Sequence, residues 1–350
     1  LDFAIRLNAR EVELARFEWP ERIEFVDSTS ETGLGRQRRG RGFAYTTAEG
    51  RRVTDGRTIA RIAALAIPPA WTGVWIAPSV HAHVQATGRD KRRRKQYRYH
   101  PVWQLRRQKA NYNRLVEFAR ALPAIRSFID AGLRRPQLDK ERVLALALRL
   151  LDSGMIRVGN DEYAKTNGSR GLTTLGKRNV AIRGNEVKFH FVGKGGVDYD
   201  LAINDPRAAR ALRRCHELPG QRLFRYVDEA GETHPITSGD VNAQLEELTG
   251  QKFTAKDFRT WTGTAHTFAQ LAARTPGDSE TATAQIVNEV ARATALVLGN
   301  TLAVCKRHYV HPRVLEAFAA GKLARIQIGK RKSRGLSAAE AALARFLESH

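Results

Sequence analysis

Four residues far apart in the chain carry side chains that seek or attack anionic groups. They are Arg157 in Ile156-Arg157-Val158-Gly159-Asn160, Lys194 in Phe191-Val192-Gly193-Lys194-Gly195, Arg259 in Lys256-Asp257-Phe258-Arg259-Thr260-Trp261, and Tyr309, nine positions after Asn300. Guanidinium and ammonium groups make charge-assisted hydrogen bonds to anionic oxygens, and a tyrosine hydroxyl can act as a nucleophile. Taken singly, each has a plainer explanation: Arg157 as a cap or ion pair, Lys194 as a turn cation, Arg259 as a helix-face charge, Tyr309 as a packed aromatic. Only their combination carries information.

The surrounding composition points to a polyanionic partner. The 350 residues include 59 Lys+Arg against 36 Asp+Glu, a formal net charge of +23, with 42% hydrophobic residues. Such a chain can bury a full core and is not a disordered polycation; its excess charge predicts nucleic acid first and an anionic membrane surface second. Two cysteines, Cys215 and Cys305, form no Cys-x-x-Cys pair and fit a reducing compartment. The longest apolar run is stopped by Pro68-Pro69, which predicts no membrane span, and the opening residues lack the pattern of a secretory leader. Leu1 in first position suggests a trimmed start. A cytoplasmic, nucleoid-associated protein is the expectation.

The densest charge leads straight into an aromatic strand. Seven of the ten positions 89–98 are Lys or Arg, and Arg92-Arg93-Arg94-Lys95 is followed by Gln96-Tyr97-Arg98-Tyr99. A bare charge run reads as a solvated loop. Here the cations can hold phosphates while Gln96 reads base edges and Tyr97 and Tyr99 offer their rings. Two other motifs fail. Gly171-Leu172-Thr173-Thr174-Leu175-Gly176-Lys177-Arg178 approximates a phosphate-binding loop, but Arg178 stands where a magnesium-holding hydroxyl belongs. His81-Ala82-His83 would put two rings on one strand face, yet no carboxylate or cysteine accompanies them to make a metal site.

The elements that must position these residues fall into two classes. A polar first part ends in the Gly/Arg segment 33–42, expected to be a mobile basic loop; residues 43–54 then read as a hairpin, and Asp55 caps a helix over 57–66. Strands are expected at 74–76, 81–85 and 96–99. Helical spacing takes over from about Trp103, through Leu115, Phe118, Val143, Leu146 and Leu150. A three-stranded meander interrupts the helices, with Val187, Phe189 and Phe191 in alternation and Lys194 at the second turn. Further helices are expected at 206–216, after Ser238, after the capping box Thr254–Asp257, over 279–298 with Gly299-Asn300 closing it, and last a helix broken near Pro312 that carries Tyr309. The predicted class is α+β: a small, mainly antiparallel-β N-terminal domain over 1–109, with 1–42 partly mobile and the basic strand expected to bind DNA, and a larger, mainly α domain over 110–350 with a solvated basic tail from about 322.

Together and in this order the motifs resemble the type IB DNA topoisomerases, in particular the compact poxvirus-like branch found in bacteria. The likeness rests on Arg157-Val158-Gly159-Asn160 with Tyr163, Asn167, Ser169 and Gly171-Leu172-Thr173-Thr174-Leu175, on Phe191–Gly195, on Lys256–Trp261, and on Asn300 before Tyr309. It covers about residues 41–320 and includes the strand around Gln96, Tyr97 and Tyr99. The resemblance implies transesterification of double-stranded DNA, with Tyr309 as nucleophile, Arg157 and Arg259 as transition-state clamps and Lys194 as general acid. It implies DNA contacts from Arg92, Arg93, Arg94, Lys95, Gln96, Tyr97 and Tyr99. No ATP or metal is implied, Mg²⁺ acting at most through the DNA, and the expected state is a monomer with no membrane partner. Many members of the wider family carry histidine where this chain has Asn300, so a hydrogen bond to the phosphate is expected there instead of proton transfer.

A tyrosine recombinase would use a similar Arg, Lys, Arg and Tyr set. Lys256, where recombinases usually carry histidine, and the β domain ahead of the catalytic one both favour the topoisomerase. A non-catalytic basic DNA-binding protein, with Tyr309 merely structural, is the remaining alternative.

Overall fold

The structure, a computed structural model, describes residues 17–153, 156–161, 164, 168–329 and 335–349. Tyr163 and Asn167 of the first motif, and residues 330–334 of the basic stretch, lie outside the described residues. The chain divides into two compact units at Asn111/Tyr112.

The first unit is built on a five-stranded antiparallel sheet. β1 (Leu34–Arg39) and β2 (Gly42–Thr46) are followed by α1 (Gly56–Ala64), then β3 (Thr72–Ile76), β4 (Val84–Arg89) and β5 (Lys95–Tyr99), in the spatial order β2-β1-β3-β4-β5. Asp55 starts α1 by accepting the Thr58 amide at 2.7 Å. Ile62 and Leu65 then pack on Val74, Ile76 and Ala86 of the sheet.

Three expectations for this unit are corrected. Residues 33–42 are no loop: they form most of the β1–β2 hairpin, whose two-residue turn uses Gly40 at φ +57°. The arginines disguised the strand, because Arg36 spends its guanidinium on the carbonyls of Ile67, Pro68 and Trp71 at 3.2, 3.1 and 2.7 Å. β2 accordingly pairs with β1, and residues 52–54 add only the isolated bridge Thr46–Arg52 and a hydrogen bond from Val53 to Tyr45. His81 and His83 precede β4; His83 Nδ1 accepts the Val26 amide at 3.2 Å, and His81 Nδ1 lies 3.1 Å from the Arg22 carbonyl.

The division between units falls within α2 (Pro101–Gly132). In the second unit α3 (Lys140–Asp152) is capped by Asp139 and buries Val143–Leu148, Leu150 and Leu151, so it is apolar almost all round and runs through the core. β6 (Val180–Arg183), β7 (Glu186–Val192) and β8 (Asp198–Asn204) form the expected antiparallel meander, with Phe189, Phe191 and Tyr199 facing inward. There follow α4 (Pro206–Glu217), a small ribbon of β9 (Arg225–Val227) and β10 (Thr233–Pro235), α5 (Ser238–Thr249), α6 (Ala255–Ala272), α7 (Glu280–Val297), α8 (Leu302–His308), α9 (Pro312–Ala319) and α10 (Ala338–Glu348).

Tyr309 lies in the break between α8 and α9, outside both helices, and α9 is not the last one. The C-terminal part is no simple solvated tail either. Leu323 is fully buried, and Ser337 caps α10, which buries Ala341, Ala342, Leu343 and Leu347. Arg126 of α2 holds this helix in place, bonded to both Glu340 (2.8 Å) and Asp152 (2.9 Å). Trp261 of α6 donates to the same Glu340 carboxylate at 2.8 Å. In the sequence the basic stretch from 322 conceals the apolar face of α10 that lies beyond it.

Candidate active site

Arg157 sits on the segment that leaves α3, held against residues 171–173. The Leu172 amide donates to the Arg157 carbonyl and the Thr173 amide to that of Val158, both at 2.8 Å. This pairing explains both glycines of the motif. A Cβ on Gly171 would lie 2.5 Å from the Gly159 backbone, and Gly159 itself has φ +91°. It also settles the Gly171–Arg178 run: the amides of Leu172 and Thr173 are consumed internally, so the segment is scaffold and no phosphate loop.

Arg259 is on α6, which the capping box Thr254–Asp257 starts with a 2.8 Å bond from the Thr254 amide. Its side chain is only 2% exposed. One guanidinium nitrogen donates to the Leu298 carbonyl at 2.5 Å, and the guanidinium carbon lies 5.2 Å from the centroid of the Tyr309 ring. Burial, and next the charge of Arg157, hold Arg259 below the ordinary arginine range.

Tyr309 is half-buried and ends α8 with its amide on the Cys305 carbonyl at 2.9 Å. Thr264 of α6 fixes the break that follows, donating to the Tyr309 carbonyl (3.2 Å) and accepting the His311 amide (3.1 Å). The neighbouring Gly263 allows the close approach: a Cβ there would lie 2.6 Å from the Tyr309 carbonyl oxygen. Desolvation alone would raise the phenol pKa. The charges of Arg259 and Arg157, a hydrogen bond from Arg259 and the charge of Lys256 outweigh it, so the phenol is held below its usual value of 10.

Asn300 follows Gly299, whose φ of +57° ends α7. Its Oδ1 accepts from Arg157 Nη2 at 2.6 Å and its Nδ2 donates to the Leu298 carbonyl at 3.2 Å. The Leu298 carbonyl therefore receives both Asn300 and Arg259, which ties α6 to the end of α7. Arg157, Arg259, Asn300 and Tyr309 thus form one cluster. Lys194 is placed on the exposed turn between β7 and β8, where Gly195 and Gly196 have φ of +87° and +76°.

A further side chain joins this cluster and was missed in the sequence. The Tyr199 hydroxyl accepts from Arg157 Nη1 and donates to the Gly299 carbonyl at 3.2 Å. Its alternation with Leu201 on β8 was the one available signal, and it says only that the ring points inward.

The expected DNA-reading residues lie in the first unit, on the β4–β5 hairpin. Asp90 organises the turn, accepting the backbone amides of Arg92 (2.9 Å) and Arg94 (3.0 Å), the Arg94 guanidinium (2.7 Å) and the Gln96 side-chain Nε2 (3.0 Å). The Arg94 hydrogen bond is the largest reason that the Asp90 carboxyl titrates below the usual range. Arg92 and Arg93 are exposed, Arg93 at φ +59°. Tyr97 and Tyr99 stack at 5.7 Å, and Lys95 lies 5.5 Å from the centre of the Tyr97 ring, which is 41% exposed. Arg98 points elsewhere, bonding the Ala66 carbonyl at 2.8 Å and covering Trp71. Among the described residues, no three His, Cys, Asp or Glu side chains are placed to hold a metal ion, and no helix is long and apolar enough to cross a membrane.

An antiparallel N-terminal sheet, a helical second unit and a tyrosine set against two guanidiniums define a class that sequence comparison identifies. Residues 94–333 match the family described as eukaryotic DNA topoisomerase I, catalytic core, and residues 42–90 match the bacterial DNA topoisomerase IB N-terminal domain. The chain belongs to the type IB DNA topoisomerases. DNA topoisomerase 1B of Acanthamoeba polyphaga mimivirus is 32% identical over 294 residues, covering 82% of this chain and 87% of the viral one. Vaccinia virus DNA topoisomerase 1B is 24% identical over 237 residues, 65% of this chain and 70% of its own. The DNA topoisomerase 1 of Daucus carota shares 32% identity over 126 residues, 35% of this chain and 15% of that protein.

Proposed function

We propose that the enzyme relaxes supercoiled duplex DNA by breaking and rejoining one strand through Tyr309. The Tyr309 oxygen attacks the phosphorus in line, the P–O5′ bond breaks, and the products are a 3′-phosphotyrosine and a 5′-hydroxyl. Rotation of the free strand and attack by that hydroxyl restore the duplex and the tyrosine. The observation that carries this reading is the acidified phenol of Tyr309 beside the buried Arg259. Charge that develops on the non-bridging oxygens is met by Arg157 and Arg259, with Asn300 as a hydrogen-bond partner. Lys194, on its two-glycine turn, delivers the proton that the 5′-oxygen needs on leaving.

The bond to tyrosine conserves the phosphodiester energy, so the cycle runs without ATP, and the guanidiniums supply the positive charge that a metal would otherwise bring. Arg92, Arg93 and Lys95 with the Tyr97–Tyr99 stack dock the duplex in this reading, and the enzyme acts as a monomer on nucleoid DNA in the cytoplasm. Relaxation of supercoiled plasmid in EDTA without ATP tests it, together with denaturant trapping of the linked end. Wild type is expected to relax the plasmid and to retain the 3′ end, and Tyr309→Phe to bind DNA with similar affinity but form no adduct. Strict dependence on Mg²⁺, or a relaxing Tyr309→Phe variant, would overturn the reading.

A further inference from the structure

We propose that Tyr199 is a positioning residue that fixes the guanidinium of Arg157 and braces the base of the Lys194 turn. The inference rests on the strand-cleavage reading of the same site. Three independent features single out this phenol. It lies opposite Phe191 in the β7–β8 register, the two rings stacked at 5.0 Å and 2° apart, so its plane is set by the meander itself. Both edges are clasped by glycines: a Cβ would come within 2.5 Å of the ring at Gly193 and within 2.7 Å at Gly299. Its hydroxyl works in both directions, accepting from Arg157 Nη1 and donating to the Gly299 carbonyl.

The consequence for Arg157 is that its fork is held from two sides. Tyr199 takes one terminal nitrogen and Asn300 Oδ1 the other, at 2.6 Å. A side chain with several rotatable bonds is thereby fixed before any phosphate arrives, which lowers the ordering cost of the transition-state contact. Gly193 directly precedes Lys194, so the same ring that orients the arginine also sets where the lysine turn begins. Gly299 directly precedes Asn300. One aromatic side chain therefore registers three segments, 157, 193–194 and 299–300, to one another.

Tyr199→Phe tests the idea, since it keeps the stack and the glycine clasp and removes only the hydroxyl. A hydrogen bond to a charged group is worth about 1.5–3 kcal/mol, so single-turnover formation of the covalent adduct should slow about ten- to a hundredfold at saturating enzyme. Duplex affinity and the melting temperature should stay near wild type, which separates positioning from a folding defect. In an Arg157→Ala background, followed over hours, the same substitution should cost almost nothing more, because Tyr199 acts through Arg157. An unchanged cleavage rate in Tyr199→Phe, or an equal loss with and without Arg157, would refute the proposal. Should Tyr309→Phe still form an adduct, the underlying reading of the site fails instead, so the two failures are distinguishable.

Discussion

At the residue scale the site is a balance between desolvation and cationic charge. Burial pushes the Tyr309 phenol up, and Arg259 and Arg157 pull it below 10. Removing Arg259 therefore leaves desolvation less opposed, and the phenol pKa rises. In Arg259→Gln the pH profile of adduct formation is expected to shift to higher pH, alongside a loss of rate at every pH. Stopped-time cleavage between pH 6 and 10 measures both; a slower variant with an unmoved profile would show that the guanidinium stabilises the transition state without acidifying the phenol. Among the individual residues, Arg157, Arg259, Asn300 and Tyr309 were legible in the sequence because each lies inside a local motif. Tyr199 was not, because its partners are 42 and 100 positions away and its own surroundings read as an ordinary inward-facing strand residue.

At the scale of elements, α6 is the hub: Arg259 faces the Leu298 carbonyl and Tyr309, Gly263 and Thr264 fix the break that carries Tyr309, and Trp261 reaches the Glu340 carboxylate of α10. Glu340 ties that helix to Arg126 and titrates near 2, against 4.5 for a free glutamate: desolvation by burial opposes ionisation, but the Arg126 hydrogen bond and charge outweigh it. Its carboxylate thus stabilises the fold fully above pH 4.5, and the contribution, on the order of 3 kcal/mol, fades as pH falls towards 2. Glu340→Gln should lower the melting temperature by several degrees at pH 7, with the gap to wild type closing in acid. An equal gap at pH 7 and pH 3 would assign the loss to packing. Helix starts at Asp55 and Thr254 were readable, since a cap needs only its neighbours. The β1 strand was not, because Arg36 makes its bonds to carbonyls 31–35 positions away and its arginine-rich sequence imitates a loop.

For the whole molecule, 59 basic against 36 acidic residues predict DNA binding that weakens with salt, by an amount set by the cations that meet phosphates. Each cation that displaces a counterion from a duplex phosphate steepens the slope of log K against log salt by about 0.9. Arg92→Ala and Arg93→Ala should each flatten it by about that amount, whereas Arg94→Ala should do less, because Arg94 is already paired with Asp90 at 2.7 Å. Binding titrations from 50 to 300 mM salt would decide this, and an Arg94 variant as salt-insensitive as the other two would contradict it.

The sequence by itself determined the family, the α+β class, the meander and the motifs that hold Arg157, Arg259, Asn300 and Tyr309. Each of these is written in contiguous residues, as a cap, an alternation or a motif whose parts are neighbours. The tertiary structure decided what those residues touch. It placed Asn300 on Arg157, spent Arg94 and Gln96 on Asp90, turned residues 33–42 into most of a hairpin and closed two glycines on Tyr199. Such pairings depend on distances between segments that meet only after the core has formed, and a chain read residue by residue does not contain them.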